Sequence, residues 1–167
     1  MQKITTFLWF NNNAEEAMEF YCSIFKNSKI VSIDRYRERP AGAPADIPWP
    51  EGRVLTGVFE LEGQQYMALD GGPLFPFSES ISLLVDCEDQ AEVDYFWEKL
   101  SAGGEEGPCG WLKDKFGLSW QVVPAAYTKM MKDPQGTPAQ KEAMMSALFK
   151  MKKLDIAQLK QAYQQAK

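Results

Sequence analysis

Two stretches of this chain repeat one another at a constant offset of 76 residues, and this constrains the fold more than any other feature. Asn13, Glu16, Ala17, Phe20, Tyr21 and Ile24 in the first stretch become Asp89, Glu92, Val93, Phe96, Trp97 and Leu100 in the second. In the first set, Asn13 stands three residues ahead of Glu16, so each side chain can reach the other's backbone N–H and open a helix. Ala17, Met18, Tyr21, Ile24 and Phe25 then recur on one helical face, and Asn27-Ser28 stops the run. The preceding Phe7-Leu8-Trp9 maps onto Leu83-Leu84-Val85, and the stop maps onto Gly103-Gly104. Strand, cap, apolar stripe and terminator agreeing at one offset point to an internal duplication.

Three strand-like segments after the first helix complete the unit. Segments 29–36, 53–62 and 65–69 have strand character, and Glu62-Gly63-Gln64 joins the last two as a hairpin. Each unit is therefore β-α-β-β-β, the first over 4–75 and the second over 78–123. In the second unit the strands after the helix are short and glycine-interrupted, and 117–123 is the clearest. Segment 38–52 holds four prolines, too many for a sheet interior, and reads as a loop and a candidate lid. From 125 onward the pattern turns helical, with Thr137 capping a helix that starts on Pro138 and Asp155 capping another. Met144, Met145, Leu148 and Phe149 form one apolar face of that tail, and Ile156, Leu159 and Tyr163 a second. The class is α+β: residues 1–124 carry the two units and 125–167 are a helical extension.

Composition excludes several functions. At 167 residues and 45 % hydrophobic, the chain has about one domain's worth of core. A net charge of −5 with scattered lysines argues against a nucleic-acid partner. No apolar run approaches the ~18 residues of a membrane span. The N-terminus lacks a signal-like apolar core, so a cytoplasmic location is expected. Cys22, Cys87 and Cys109 form no CxxC pair and leave an odd thiol, so neither a disulfide framework nor a zinc knuckle is indicated. Histidine is absent altogether, which removes the commonest metal ligand and neutral-pH general base. Cys109 accordingly has no imidazole to activate it.

The stretch CGWLKDKFGLSWQ, 109–121, sets tryptophans on either side of a charged turn. Segment 113–117 reads as a solvated turn in which Gly117 relieves strain and Asp114 bonds locally, with Gln121 on the next strand. Asp70, just before Gly71-Gly72-Pro73, has a ready explanation as a turn residue bonding its own backbone.

The tandem units, with FLWFNNNAEEAMEFYCSIF in one and SLLVDCEDQAEVDYFWEKLSAGG in the other, resemble the vicinal oxygen chelate superfamily of glyoxalase, bleomycin-resistance and dioxygenase proteins. Together with GGPLFPFSESISLLVDC, CGWLKDKFGLSWQ and the tail AMMSALFKMKKLDIAQLKQAY, the chain is similar to the PhnB-like family, often labelled 3-demethylubiquinone-9 3-methyltransferase. The resemblance implies glyoxalase-like half-barrels of curved sheet with helices on the convex side and a pocket on the concave side. Metal ligands of the superfamily's enzymes would fall on Thr5 or Thr6, Asp70 or Ala68, Ser80–Ser82, and Gln121. One carboxylate among hydroxyls and an amide is a poor donor set, so no metal and no other cofactor is expected. The methyltransferase label implies S-adenosylmethionine, yet no glycine-rich turn joins a strand to a helix.

The leading expectation is a small-molecule ligand in a pocket lined by Trp9, Asp70, Trp111 and Gln121, with core packing as the competing role for both tryptophans. Whether the protein is an enzyme stays open. Methyl transfer and a metal-dependent glyoxalase or dioxygenase reaction are the alternatives. A homodimer is expected, because half-barrels leave sheet edges to be covered.

Overall fold

The computed structural model describes residues 2–42 and 49–166. The chain divides into two compact units, Met1–Phe77 and Ser78–Lys167. Six residues of the proline-rich segment, 43–48, lie outside the described residues, and with them the middle of the candidate lid.

The first unit runs β1 (Thr6–Phe10), α1 (Ala14–Ile24), β2 (Lys29–Arg35), β3 (Val54–Leu61) and β4 (Gln64–Asp70). Its sheet has the order β1-β4-β3-β2, with β1 parallel to β4 and the other neighbours antiparallel. The expected β3–β4 hairpin forms, but it closes in two residues rather than three: Glu62 and Gly63 have φ of 46° and 80°, and Gln64 already pairs with Leu61. Positive φ at both central residues gives a turn whose twist matches that of the strands. One sheet face packs under α1, where Tyr21 stacks on Phe59 at 6.2 Å and Phe59 on Tyr66 at 5.4 Å.

The second unit repeats this order with β5 (Ser82–Cys87), α2 (Gln90–Ser101), β6 (Glu105–Glu106), β7 (Trp111–Lys113) and β8 (Ser119–Pro124). The sheet order β5-β8-β7-β6 copies the first, again with its first and last strands parallel.

The offset of 76 holds for the helices but not for the strands before them. Buried Ala17, Tyr21 and Ile24 do map onto buried Val93, Trp97 and Leu100. Leu8, however, is 5 % exposed, whereas Leu84, its counterpart at 76, is 57 % exposed; Val85, at 77, is the buried one. Three residues, 11–13, link β1 to α1, with Asn12 at φ 59°, while only Glu88 and Asp89 link β5 to α2. The extra residue shifts the strand by one, and one step along a strand exchanges its faces.

The extension forms α3 (Ala125–Lys132), α4 (Pro138–Leu148) and α5 (Ile156–Gln165). Thr137 and Gln140 close the capping box, and Asp155 accepts from the Gln158 amide at 2.9 Å. Met144, Leu148, Leu154 and Leu159 form a buried cluster, whereas Met145 and Phe149 face outward, so α4 buries a narrower stripe than the pattern implied. The segment before α5 is fastened within the second unit. The Cys109 amide donates to the Met151 carbonyl and the Gly110 amide to that of Lys152, both at 2.8 Å. The Gln90 side chain donates to the Leu154 carbonyl and accepts from the Ile156 amide. No helix among the described residues is long and apolar enough to cross a membrane.

Candidate functional site

Strand alternation gives each sheet a face under its own helix and an open face turned away from it. In the first unit Leu8, Phe10, Tyr66, Ala68 and Asp70 are buried on the helix side, and their neighbours Phe7, Trp9, Met67 and Leu69 alternate onto the open side. In the second, Val85, Leu112, Trp120 and Val122 take the helix side. Ser82, Leu84, Trp111, Lys113, Ser119 and Gln121 take the open one.

Asp70 therefore looks towards α1, on the opposite side of its sheet from Trp9. Its Oδ1 accepts from the Ala14 amide at 2.8 Å, and a bond from the Asn13 amide also reaches the carboxylate. It caps the helix from 56 residues away. The Asn13 side chain makes no capping bond, and its Oδ1 is buried without a partner among the described residues. Burial pushes the Asp70 carboxyl above its ordinary range, against the two amides and the charge of Arg53, which pull it down. Tyr36 adds a bond from its hydroxyl to the Asp70 carbonyl at 3.0 Å.

Trp9 shares the open face of the first sheet, yet its polar edge is engaged within the unit. The indole N–H donates to the Gly72 carbonyl at 2.8 Å, and the ring meets Phe75 edge-on at 4.9 Å. Three further indoles are engaged likewise: Trp49 to the Arg37 carbonyl, Trp97 to Glu106 and Trp120 to Asp114. The fifth tryptophan, Trp111, is half-buried on the open face of the second sheet, and its indole N–H has no acceptor among the described residues.

Beside it, directly across the β7–β8 ladder, lies Gln121. Its Nε2 donates to the Ser82 hydroxyl at 2.8 Å, which orients the amide and leaves Oε1 as an acceptor. Buried Trp120 alternates with half-buried Gln121, which puts the amide on the open face.

The turn before it differs from expectation. Asp114 is only 2 % exposed and accepts from the amides of Phe116 and Leu118 and, through Oδ2, from the Trp120 indole at 2.8 Å. The local bonds were legible in the sequence. The burial was not, because the partner that draws the carboxylate inward lies six residues on and on the helix side. Sequence reasoning also missed Ser119, a buried hydroxyl with no partner among the described residues. The polar-apolar-polar alternation Ser119-Trp120-Gln121 could have placed it on the open face.

The donor set for a metal fares poorly. Asp70, the one carboxylate of the inherited positions, is engaged by helix amides, and Ala68 offers no donor. Ser82 is bonded to Gln121 and Ser80 to Ser78. Among the described residues no three His, Cys, Asp or Glu side chains come together as a metal site would need. These residues do not fit a divalent ion. The thiols offer no better nucleophile: burial, then the nearby carboxylates of Glu92, Asp86 and Asp89, push Cys87 up to about 12, and burial raises Cys22.

Paired β-α-β-β-β units, each with its helix on one sheet face and the other face open, make an α+β protein with a glyoxalase-like fold. The sequence profile of the family described as 3-demethylubiquinone-9 3-methyltransferase matches residues 2–123, and the chain belongs to that family. The solved PhnB protein of Bacillus cereus, which carries the same description, is 41 % identical over 74 % of this chain and 99 % of that one, with a TM-score of 0.63. Protein PA1353 of Pseudomonas aeruginosa shares the fold at 22 % identity and a TM-score of 0.60, over 74 % of this chain and 98 % of that one. No curated protein matches the chain. Helices α3 to α5 lie beyond the family match.

Proposed function

We propose that the protein binds a small organic molecule on the open face of its second sheet, with Trp111 as the wall and hydrogen-bond donor and Gln121 as the oriented polar contact. The observation that supports this best is the state of the five indoles. Four have their N–H groups engaged within the fold, and the remaining one projects beside an amide that Ser82 holds in place. An aromatic surface with a few fixed polar groups is the usual make-up of a ligand site. Trp9 is a wall of the same kind on its own sheet, with its donor already in use.

The test is to release small molecules from purified protein by denaturation and identify them by mass spectrometry. The same measurement is then made on Trp111→Phe and Gln121→Ala. A compound recovered in near-stoichiometric amount from the natural sequence, and reduced several-fold in both variants, supports the reading. Equal recovery from all three removes Trp111 and Gln121 from the site.

The activity in the family's description is a second reading, favoured by the match over 2–123. The residues present do not fit the S-adenosylmethionine site of the doubly wound methyltransferases. Neither sheet is wholly parallel, and β1 and β5 reach their helices through Asn11-Asn12-Asn13 and Glu88-Asp89 while β8 runs straight into α3, none of them through a glycine-rich turn. Thermal stabilisation by S-adenosylmethionine, read by fluorimetry, would favour methyl transfer. A homodimer is proposed as well, since Leu84, Phe149, Leu74 and Phe75 are large apolar side chains left exposed by a single chain. Light scattering that gives a monomer at micromolar concentration would remove it.

A further inference from the structure

Ser119 is 1 % exposed, and its hydroxyl has no hydrogen-bond partner among the described residues. A hydroxyl buried without a partner loses its water contacts with nothing in exchange, so native proteins rarely keep one without a use. Ser119 sits between Ser82 and Lys113 in the ladder and lines a cleft of about 430 Å³, within the range of ordinary ligand sites. Trp111 forms one wall, and Glu79, Glu105 and Glu106 line it with Lys113 as the one base.

The charges in the cleft are unevenly satisfied. Lys113 is paired with Glu79 at 2.6 Å, and each partner moves the other's titration towards the charged form. Glu106 accepts from the Trp97 indole at 3.0 Å and lies 3.8 Å from Lys152. Glu105 lies opposite Lys113 in the β6–β7 ladder and feels its charge, but among the described residues it forms no close ion pair, since Lys113 is engaged by Glu79. The cleft thus holds an excess of negative charge, an aromatic face and an unanswered hydroxyl. A cation is attracted both by a carboxylate and by the face of an indole, and an anion by neither.

We propose that this cleft receives the cationic end of the ligand, an amine or guanidine carried on an apolar body, with Glu105 as its counter-charge, Trp111 against its body and Ser119 as a hydrogen-bond partner. This rests on the ligand-binding reading of the same open face and adds the chemical class.

Three size-matched probes, naphthylethylamine, naphthylethanol and naphthylacetate, test it by titration against the full chain, with affinities from amide and indole NMR shifts. The amine is expected to bind about ten-fold more tightly than the acid, with the alcohol between them, and added salt should narrow the gap. Glu105→Gln should reduce the amine's advantage several-fold. Ser119→Ala should weaken the amine several-fold while leaving the urea midpoint unchanged or higher, because no bond within the fold is lost. A lower midpoint for Ser119→Ala overturns the proposal, since the hydroxyl then serves the fold. So does an acid that binds as well as the amine, or the failure of all three probes to bind. If alcohol, acid and amine bind equally and all shift Trp111, the cation preference falls and the ligand-binding reading stands. If the released small molecules prove indifferent to Trp111 and Gln121, that underlying reading falls instead.

Discussion

The two units carry the same backbone plan and place their carboxylates in different parts of it. In the first, the carboxylate that caps α1 comes from the end of β4, where Asp70 reaches across to the Ala14 amide. In the second, α2 is capped locally. Asp89 accepts from the Glu92 amide at 2.9 Å, and the Glu92 carboxylate accepts from the Glu88 amide at 2.8 Å. The position equivalent to Asp70 on β8 is Pro124, which leads into α3 instead. The hairpins differ as well. Glu62 and Gly63 close β3–β4 in two residues, whereas β7–β8 needs five, organised around buried Asp114. A duplicated frame fixes where apolar faces must lie, but a cap can come from any residue that loop length brings within reach.

The same contrast runs through the open faces. Trp9 is tied to Gly72 and Phe75, and Asp70 is turned inward, so the first unit's polar groups serve its own fold. Trp111 and the oriented Gln121 leave polar atoms facing outward from the second.

The largest effect that sharpens this comparison belongs to Asp114. Asp114→Ala leaves the Phe116 and Leu118 amides and the Trp120 indole without their acceptor, and should destabilise by about 3–5 kcal/mol in urea unfolding. A loss below ~1 kcal/mol would show that the turn closes without it.

Asp70→Ala should cost about 2 kcal/mol, because it removes a buried cap that Asn13 does not supply. Its titration gives a second readout. The folded carboxyl lies above the ordinary 3.8, so the folded state holds this proton more tightly than the unfolded chain does. That contribution is fully present below 3.8 and is lost as pH rises through the folded value. The natural chain should therefore lose stability relative to Asp70→Asn over that rise. A pH-independent difference between the two would contradict the burial of Asp70.

Asp89→Ala, the local and exposed cap, should cost only about 1 kcal/mol. Equal losses at Asp70 and Asp89 would erase the distinction between the units. Gly117→Ala should cost about 1 kcal/mol, because φ is +88° there while a methyl group would meet nothing within 4 Å. Ligand affinity in the folded fraction should be unchanged.

The frame of the fold was legible in the sequence because helix periodicity, hairpin chemistry and caps are local. Glu62-Gly63 announced its turn, and Thr137 and Asp155 announced their helices. The strand offset was not legible, since nothing local reveals that Asn11-Asn12-Asn13 needs one residue more than Glu88-Asp89 to turn the chain. Asn13 looked like the cap of α1 for the same reason, and only folding brings Asp70 to that place. At the site, Gln121 was readable from alternation. Trp9 and Trp111 could not be told apart, because what separates them is whether another part of the chain offers an indole acceptor.

That separation is also the most direct test of the account. Hydrogen exchange at the indole N–H groups can be followed by NMR on the protein freed of small molecules. Trp9, Trp97 and Trp120 should exchange slowly, held by Gly72, Glu106 and Asp114, and Trp111 should exchange fastest of these four and slow when a ligand is added. Protection of Trp111 equal to that of Trp9 in the free protein would contradict the assignment of an outward, uncommitted donor to the second unit.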